Sequence, residues 1–228
     1  LCNMGQGLLL RRSKEEPGTF QHSIQVSNLA AAAAEAIDGK PQLVRTGALY
    51  HDIGKLWNPV YYTENQMGGN PHSHLETEKS VEMIKKHVTE GLKLGEKANL
   101  PTDILRFITT HHGKGTVKYF YRTWCNEHPD EEPDMSLFSY PGPDPESKEE
   151  AILMMSDSIE AASKSLKEFN RGAYEKLVNT IVDSLLTDGR LSNARITLQE
   201  INVAKKSFVD TLMHIYKSRI EYPELKES

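Results

Sequence analysis

Three segments of helical periodicity in this chain close on histidine. GALYHDIGK sets His51 and Asp52 side by side at the end of one, KHVTEG puts His87 near the end of another, and TTHHGKG ends a third at His111 and His112. Helix ends that each carry an imidazole make sense in a bundle, where facing helices project side chains into one interior site. His22 falls in the first turn of an earlier helix. Asp157 lies in a later one, among Ile152, Leu153, Met154, Met155 and Ile159. A carboxylate in such apolar company is costly to bury alone, and a cation offsets that cost.

Taken singly, each of these residues has a plainer reading. A histidine at a helix end is more often a cap or a satisfied core residue, and Asp157 alone could pair with a lysine or arginine. The ordered series His22, His51-Asp52, His87, His111-His112 and Asp157 is hard to obtain by chance, so the joint reading as one metal centre is preferred.

The rest of the chain reads as all-α, with no run of alternating β-branched residues. Thr19 is the expected N-cap of a helix to about Ile37, whose run Ala30 to Ala34 permits close helix approach. Pro41 opens the helix that leads into His51. Residues 57–74, with two prolines and Gly68-Gly69, are expected as a functional loop. A helix follows from about Leu75 to Val88, then a short helical piece through Leu94, and Pro101 opens the helix that ends at the His111-His112 doublet. Residues 126–146 are rich in proline and acid and are expected as a long, partly disordered excursion within one domain. Ser147 with Glu150, and Thr197 with Glu200, form capping boxes. Between those two helices another is expected over Tyr174–Leu186, and the last is expected to reach about Ile220.

Net charge is −5 over 228 residues, which argues against a broad basic surface and against a DNA or RNA polymer as ligand. A local cationic pocket for one phosphorylated small molecule stays open. Cys2 and Cys125 form no CxxC pair and read as free thiols of a reducing compartment. No segment approaches the roughly 20 consecutive apolar residues that span a bilayer. Position 1 is not Met, so a piece of a longer protein is expected.

His22, His51-Asp52 and Asp157 resemble the H…HD…D signature of the HD-domain phosphohydrolase superfamily, and His87 with His111-His112 resembles its two-metal branch. The segments PGTFQHS, GALYHDIGK, ENQ with NPH, KHVTEG, HHG with YFY, MSDSIEAAS, DGRL with ITL, and RIEYP are similar to the cytosolic domain of the PgpH family. Those proteins are membrane-anchored HD phosphodiesterases that hydrolyse cyclic di-AMP. The resemblance runs from about Leu8 to Pro223, and it departs at Lys164 and Arg190, where Arg and Gln are expected. It implies an HD-domain helical bundle over residues 17–223, residues 1–16 as a tail or linker from an upstream membrane region, and 224–228 as a C-terminal tail. It also implies a location on the cytoplasmic face of the membrane.

Seven ligand side chains exceed what one six-coordinate ion that also holds water can accept. Two ions bridged by a carboxylate resolve the excess, and Asp52 is the natural bridge. The resemblance then implies His22, His51, Asp52 and Asp157 on one ion, and Asp52, His87, His111 and His112 on the other. Five imidazoles with two carboxylates suit iron or manganese, with zinc, cobalt or nickel also open. Two such ions about 3.5–4 Å apart lower the pKa of a water held between them. The implied reaction is attack of that bridging hydroxide on one phosphorus of cyclic di-AMP, giving linear 5′-pApA, with Asp52 and Lys55 as catalytic residues.

Lys55 follows the doublet by one turn and is expected to reach the same phosphate. Tyr119 and Tyr121 are candidates to stack on adenine, whereas Phe120 reads as core. Asn65, Gln66 and His72 are candidate substrate contacts from the loop, His74 is read the same way or as solvated, and His128 and His214 are read as structural or solvated. Two rivals remain: an HD hydrolase of another nucleotide (cyclic di-GMP, a dNTP or ppGpp), and a non-catalytic nucleotide-sensing domain. The first lacks support from the GYP element of the cyclic di-GMP branch, absent from HHGKGTVKYFY. The second is disfavoured because every ligand position is filled.

Overall fold

The helical punctuation read from the sequence becomes ten α-helices in the computed structural model, which describes residues 3–217, with the loop between His51 and Thr77 built from four 3-10 turns. They are α1 (Asn3–Glu15), α2 (Pro17–Ala36), α3 (Pro41–Tyr50), α4 (Thr77–Lys97), α5 (Thr102–Thr110), α6 (Lys118–Glu127), α7 (Met135–Phe138), α8 (Lys148–Ser163), α9 (Arg171–Thr187) and α10 (Leu198–Lys217). Among the described residues there is no strand, only an isolated bridge between Thr116 and Ser139. The end of the last expected helix, the RIEYP segment, the 224–228 tail and Cys2 lie outside the described residues. No helix among the described residues is long and apolar enough to cross a membrane.

α2 is the axis of the bundle and packs on α3, α8 and α10. Its alanine run explains why: Ala30, Ala31, Ala33 and Ala34 are buried, and their methyl groups let α3 come close. Glycine does the same where α3 meets α5, since a Cβ on Gly47 would fall 2.2 Å from the Phe107 ring. The helix starts at Pro17, whose fixed φ suits the first turn, rather than at Thr19. Thr19 lies inside that turn, and its hydroxyl donates to Glu64 instead. α4 runs unbroken through Gly91 and Gly95, where the sequence suggested an interruption. Both glycines face neighbours: a Cβ on Gly91 would meet Ile108 at 2.9 Å, and one on Gly95 would meet Leu105 at 2.6 Å. Packing, not termination, is their role.

Of residues 1–16, expected as a tail, Asn3–Glu15 form α1 and pack onto the body of the domain. Arg12 is fully buried, bonded to Glu16, to the carbonyl of Leu49 at the end of α3, and to Ser23 at 3.0 Å. The Thr197–Glu200 capping box forms reciprocally as expected, at 2.7 and 3.1 Å. Ser147 accepts from the Glu150 amide at 3.2 Å, but Glu150 turns to Arg106 and the Glu146 amide. α9 starts three residues before Tyr174, capped by Asn170.

The proline-rich excursion is ordered, against the expectation from composition. Phe138 is fully buried in a second apolar cluster with Val81, Val117 and Trp124. The backbone is fastened as well, since Val117 N–H donates to Phe138 O at 2.8 Å and Tyr140 N–H to Gly115 O at 2.9 Å.

Candidate metal centre

Each imidazole reaches the interior from the element expected, and most are held by their second nitrogen. The Nδ1–H groups of His51, His87 and His111 donate to the carbonyls of Ala48, Ile84 and Ile108, three residues back, at 2.7, 2.7 and 2.8 Å. That fixes the tautomer and aims each Nε2 lone pair inward. His22 uses a carboxylate for the same purpose: its Nδ1 bonds to Glu160, while its Nε2 lies 2.9 Å from Asp157 Oδ1.

The side chains form two groups. One ligand atom from each of His87, His111 and His112 lies within 4.8 Å of the others, and the same holds for His22, His51 and Asp157. Asp52 stands between them. Its Oδ1 is 3.5 Å from His87 Nε2 and 3.6 Å from His111 Nε2, while its Oδ2 is 3.3 Å from His51 Nε2 and 3.9 Å from His22 Nε2. One oxygen serves each group. All seven sequence candidates are thus brought together, with the Asp52 carboxylate between the two groups.

A cation fits this donor set. His51 Nε2 and Asp52 Oδ1 are buried and make no hydrogen bond, a costly state unless another group binds them. The Nε2 atoms of His87 and His111 lie 3.1 Å apart. With both Nδ1 atoms donating to carbonyls, two lone pairs face each other there. A cation between them turns that repulsion into attraction.

The field differs between the halves. Burial works against charge on His51, but Asp52 and Asp157 outweigh it and push the imidazole up to about 10. His22 is raised in the same way, burial being outweighed by Asp157 and Glu160. Burial dominates at His87, which is pushed down to about 3, and His112 also falls well below the usual range. Burial would raise the Asp52 carboxyl, yet Lys55 and His51 hold it well below its ordinary value. One half therefore attracts positive charge strongly, while the other offers neutral imidazoles.

Lys55 lies where expected, beside the doublet, but it is already engaged. Its Nζ is 2.8 Å from Asp52 Oδ2 and 2.7 Å from Glu64 Oε1. Burial opposes charge on Glu64, and Lys55 overcomes it, taking the carboxyl down to about 2. The loop residues expected to touch substrate are each bonded within the protein. Both ends of the Asn65 amide hold Thr19, at 3.1 and 2.7 Å, so this side chain locks the start of α2. Gln66 donates to Val60 O within the loop, and His72 Nε2 to Tyr61 O at 2.9 Å. Tyr121 packs on Phe138 in the second cluster, as Phe120 does in part. Tyr119 remains, 74% exposed at the mouth of the cleft. His128 stacks on Trp124, and His74 and His214 are exposed.

The centre opens into a cleft of about 720 Å³, also lined by Lys118, Tyr140, Lys164 and Arg190. Three site residues escaped the sequence reading. Glu160 follows Asp157 by three residues on the same face of α8, a spacing that was available as a signal. Glu64 lies beside Asn65 in the loop already singled out. Tyr140, whose ring stacks on His112 at 4.2 Å and 22°, lies in the excursion, where nothing in the sequence marked it.

The HD domain family profile matches residues 19–162, from just before His22 to just past Asp157. The chain is similar to the cyclic-di-AMP phosphodiesterase PgpH of Bacillus subtilis, 40% identical over 98% of this chain and 31% of that protein. It is also 38% identical to the PgpH of Listeria monocytogenes, over 100% of this chain and 32% of that one. The chain therefore spans about a third of the length of these relatives. The fold superposes on the crystal structure of the L. monocytogenes PgpH HD domain in complex with cyclic di-AMP with a TM-score of 0.89 at 37% identity, covering 95% of this chain and all of that one. With the H…HD…D series inside the matched span and the whole of that domain covered, the chain belongs to the HD domain family, in its PgpH branch.

Proposed function

We propose that this chain is a two-metal phosphodiesterase that hydrolyses cyclic di-AMP to linear 5′-pApA. The observation that carries the reading is the Asp52 carboxylate, with one oxygen toward each ligand group, at the floor of a cleft in a fold so similar to a domain crystallised with cyclic di-AMP. His22, His51, Asp52 and Asp157 would hold one ion, and Asp52, His87, His111 and His112 the other, with iron or manganese the favoured metal. When bound, two such ions supply Lewis acidity toward the phosphate and acidify water. Water adds to one phosphorus and the 3′-oxygen leaves.

The chain's own residues orient that chemistry. The carbonyls of Ala48, Ile84 and Ile108 keep three imidazoles in one tautomer. Lys55, held by Glu64 and Asp52 at the cleft floor, brings a positive charge to the reacting phosphate. Tyr119 at the mouth is the aromatic face available to a base. The domain in this reading includes α1, and a membrane region ahead of it attaches it to the cytoplasmic face.

Side-by-side turnover of cyclic di-AMP, cyclic di-GMP, dGTP and ppGpp by metal-replete protein tests the substrate. Preference for any of the other three overturns it. Asp52→Ala is expected to abolish both metal binding and turnover. Nucleotide binding without any turnover by the wild type would instead make the domain a sensor.

A further inference from the structure

His112 is the exception among the five imidazoles. Among the described residues it makes no hydrogen bond, whereas the other four are each fixed through Nδ1. Its side chain is also 28% exposed, against 6% or less for the others. Its Nδ1 lies 3.9 Å from Asp157 Oδ2, too far for a hydrogen bond, and its ring 4.1 Å from that of His111, so the side on which it is exposed needs another support.

Two features touching the 126–146 excursion supply it. The Tyr140 ring stacks on His112 at 4.2 Å. Four residues on in the same excursion, Asp144 clamps the backbone next to His112: its Oδ1 accepts from the Lys114 amide at 2.8 Å, and Asp144 is itself paired with Arg190 at 2.8 and 3.0 Å. Arg190 Nε also donates to Asp188 O at 3.0 Å, tying the clamp to the end of α9. Gly113 is what admits the carboxylate: it has φ +52°, and a Cβ there would fall 2.2 Å from Asp144 Oδ1. A left-handed backbone and a missing side chain coincide at the point of contact.

We propose that Tyr140, Asp144 and Arg190 are positioning residues for His112, so that the segment following α7 completes the ion position of His87, His111 and His112. This rests on the two-ion reading above. The excursion is then part of the centre and not an appendage, and Arg190, where the resemblance leads one to expect Gln, supplies a charged partner that Gln cannot.

Titration of metal-free protein with Mn2+, counting equivalents per chain, tests this apart from activity. The wild type is expected to take two. Tyr140→Ala and Asp144→Ala are expected to keep one tight equivalent and bind the second at least tenfold more weakly, and Tyr140→Phe to restore it, because the ring and not the hydroxyl does the stacking. Arg190→Gln, at a partly exposed side chain, is expected to weaken the second equivalent severalfold and decides the matter if the other variants do not fold. Two tight equivalents in every folded variant overturn the proposal. A single equivalent in the wild type overturns the two-ion reading instead.

Discussion

At the residue scale the centre couples charge to geometry through Lys55. This lysine touches both Asp52 and Glu64, so its removal strips a positive charge from the cleft floor without deleting a candidate ligand. Lys55→Met is expected to lower kcat on cyclic di-AMP by about 10²-fold, the usual loss for one preorganised charge or donor, with metal stoichiometry unchanged. A loss confined to KM would make Lys55 a binding group only. Glu64 gives a pH dependence with a definite sign. Its folded pKa, about 2, lies below its ordinary carboxylate value, so its contribution to stability is present at neutral pH and fades as pH falls from about 4.5 toward 2. Glu64→Gln is therefore expected to be less stable than the wild type by about 1–2 kcal/mol at pH 7, the gap shrinking below about pH 4.5 and closing only near pH 2. Urea denaturation at pH 7, 5, 4 and 3 measures the gap, and a gap independent of pH refutes the assignment.

At the scale of elements, the excursion between α6 and α8 shows how composition misleads. Eleven prolines and many acids thin the apolar content of the chain, and residues 126–146 hold several of both. Yet one aromatic, Phe138, is buried among Val81, Val117 and Trp124, and two backbone hydrogen bonds fasten the segment beside it. Phe138→Ala is expected to cost about 3–5 kcal/mol through the cavity it leaves. Because Tyr140 follows two residues later, the same change is expected to raise hydrogen exchange across 135–144 more than in α2. Uniform protection loss over the whole chain would mean the segment is not a separate unit. The glycines of α4 teach a related lesson. Gly91 and Gly95 looked like breaks, because glycine disfavours helix, but buried close approach to α5 and the turn at Gly54 outweighs roughly 1 kcal/mol of propensity each.

At the scale of the whole molecule, the fold class and the ligand series were legible because both depend on spacing along the chain. His51 and His111 close their helices as the periodicity implied, whereas His87 projects from the middle of α4, which runs on past its expected end, and Asp157 faces them from α8. The partners that Asn65, His72 and Tyr121 take within the protein were not legible, because they depend on which side of a loop or short helix turns inward, toward Thr19, Tyr61 and Phe138. Nor did composition reveal that α1 packs into the domain, since the docking rests on buried Arg12, which reaches Leu49 O and Ser23, and on Leu8 and Leu9 against the core. The centre lies where five separate elements meet, α2, α3, α4, α5 and α8, and its lone pairs face one another. Metal-free protein is therefore expected to lose stability as a unit. Ions that bind only the folded state add RT ln(1 + [L]/Kd), about 2.7 kcal/mol at a hundredfold excess over Kd. For a chain of this size that corresponds to a rise in Tm of about 5–10 °C on adding Mn2+ to chelated protein. Asp52→Ala, which removes the carboxylate shared by both groups, is expected to abolish that rise. A shift of equal size in the variant would mean that the cation acts elsewhere on the molecule.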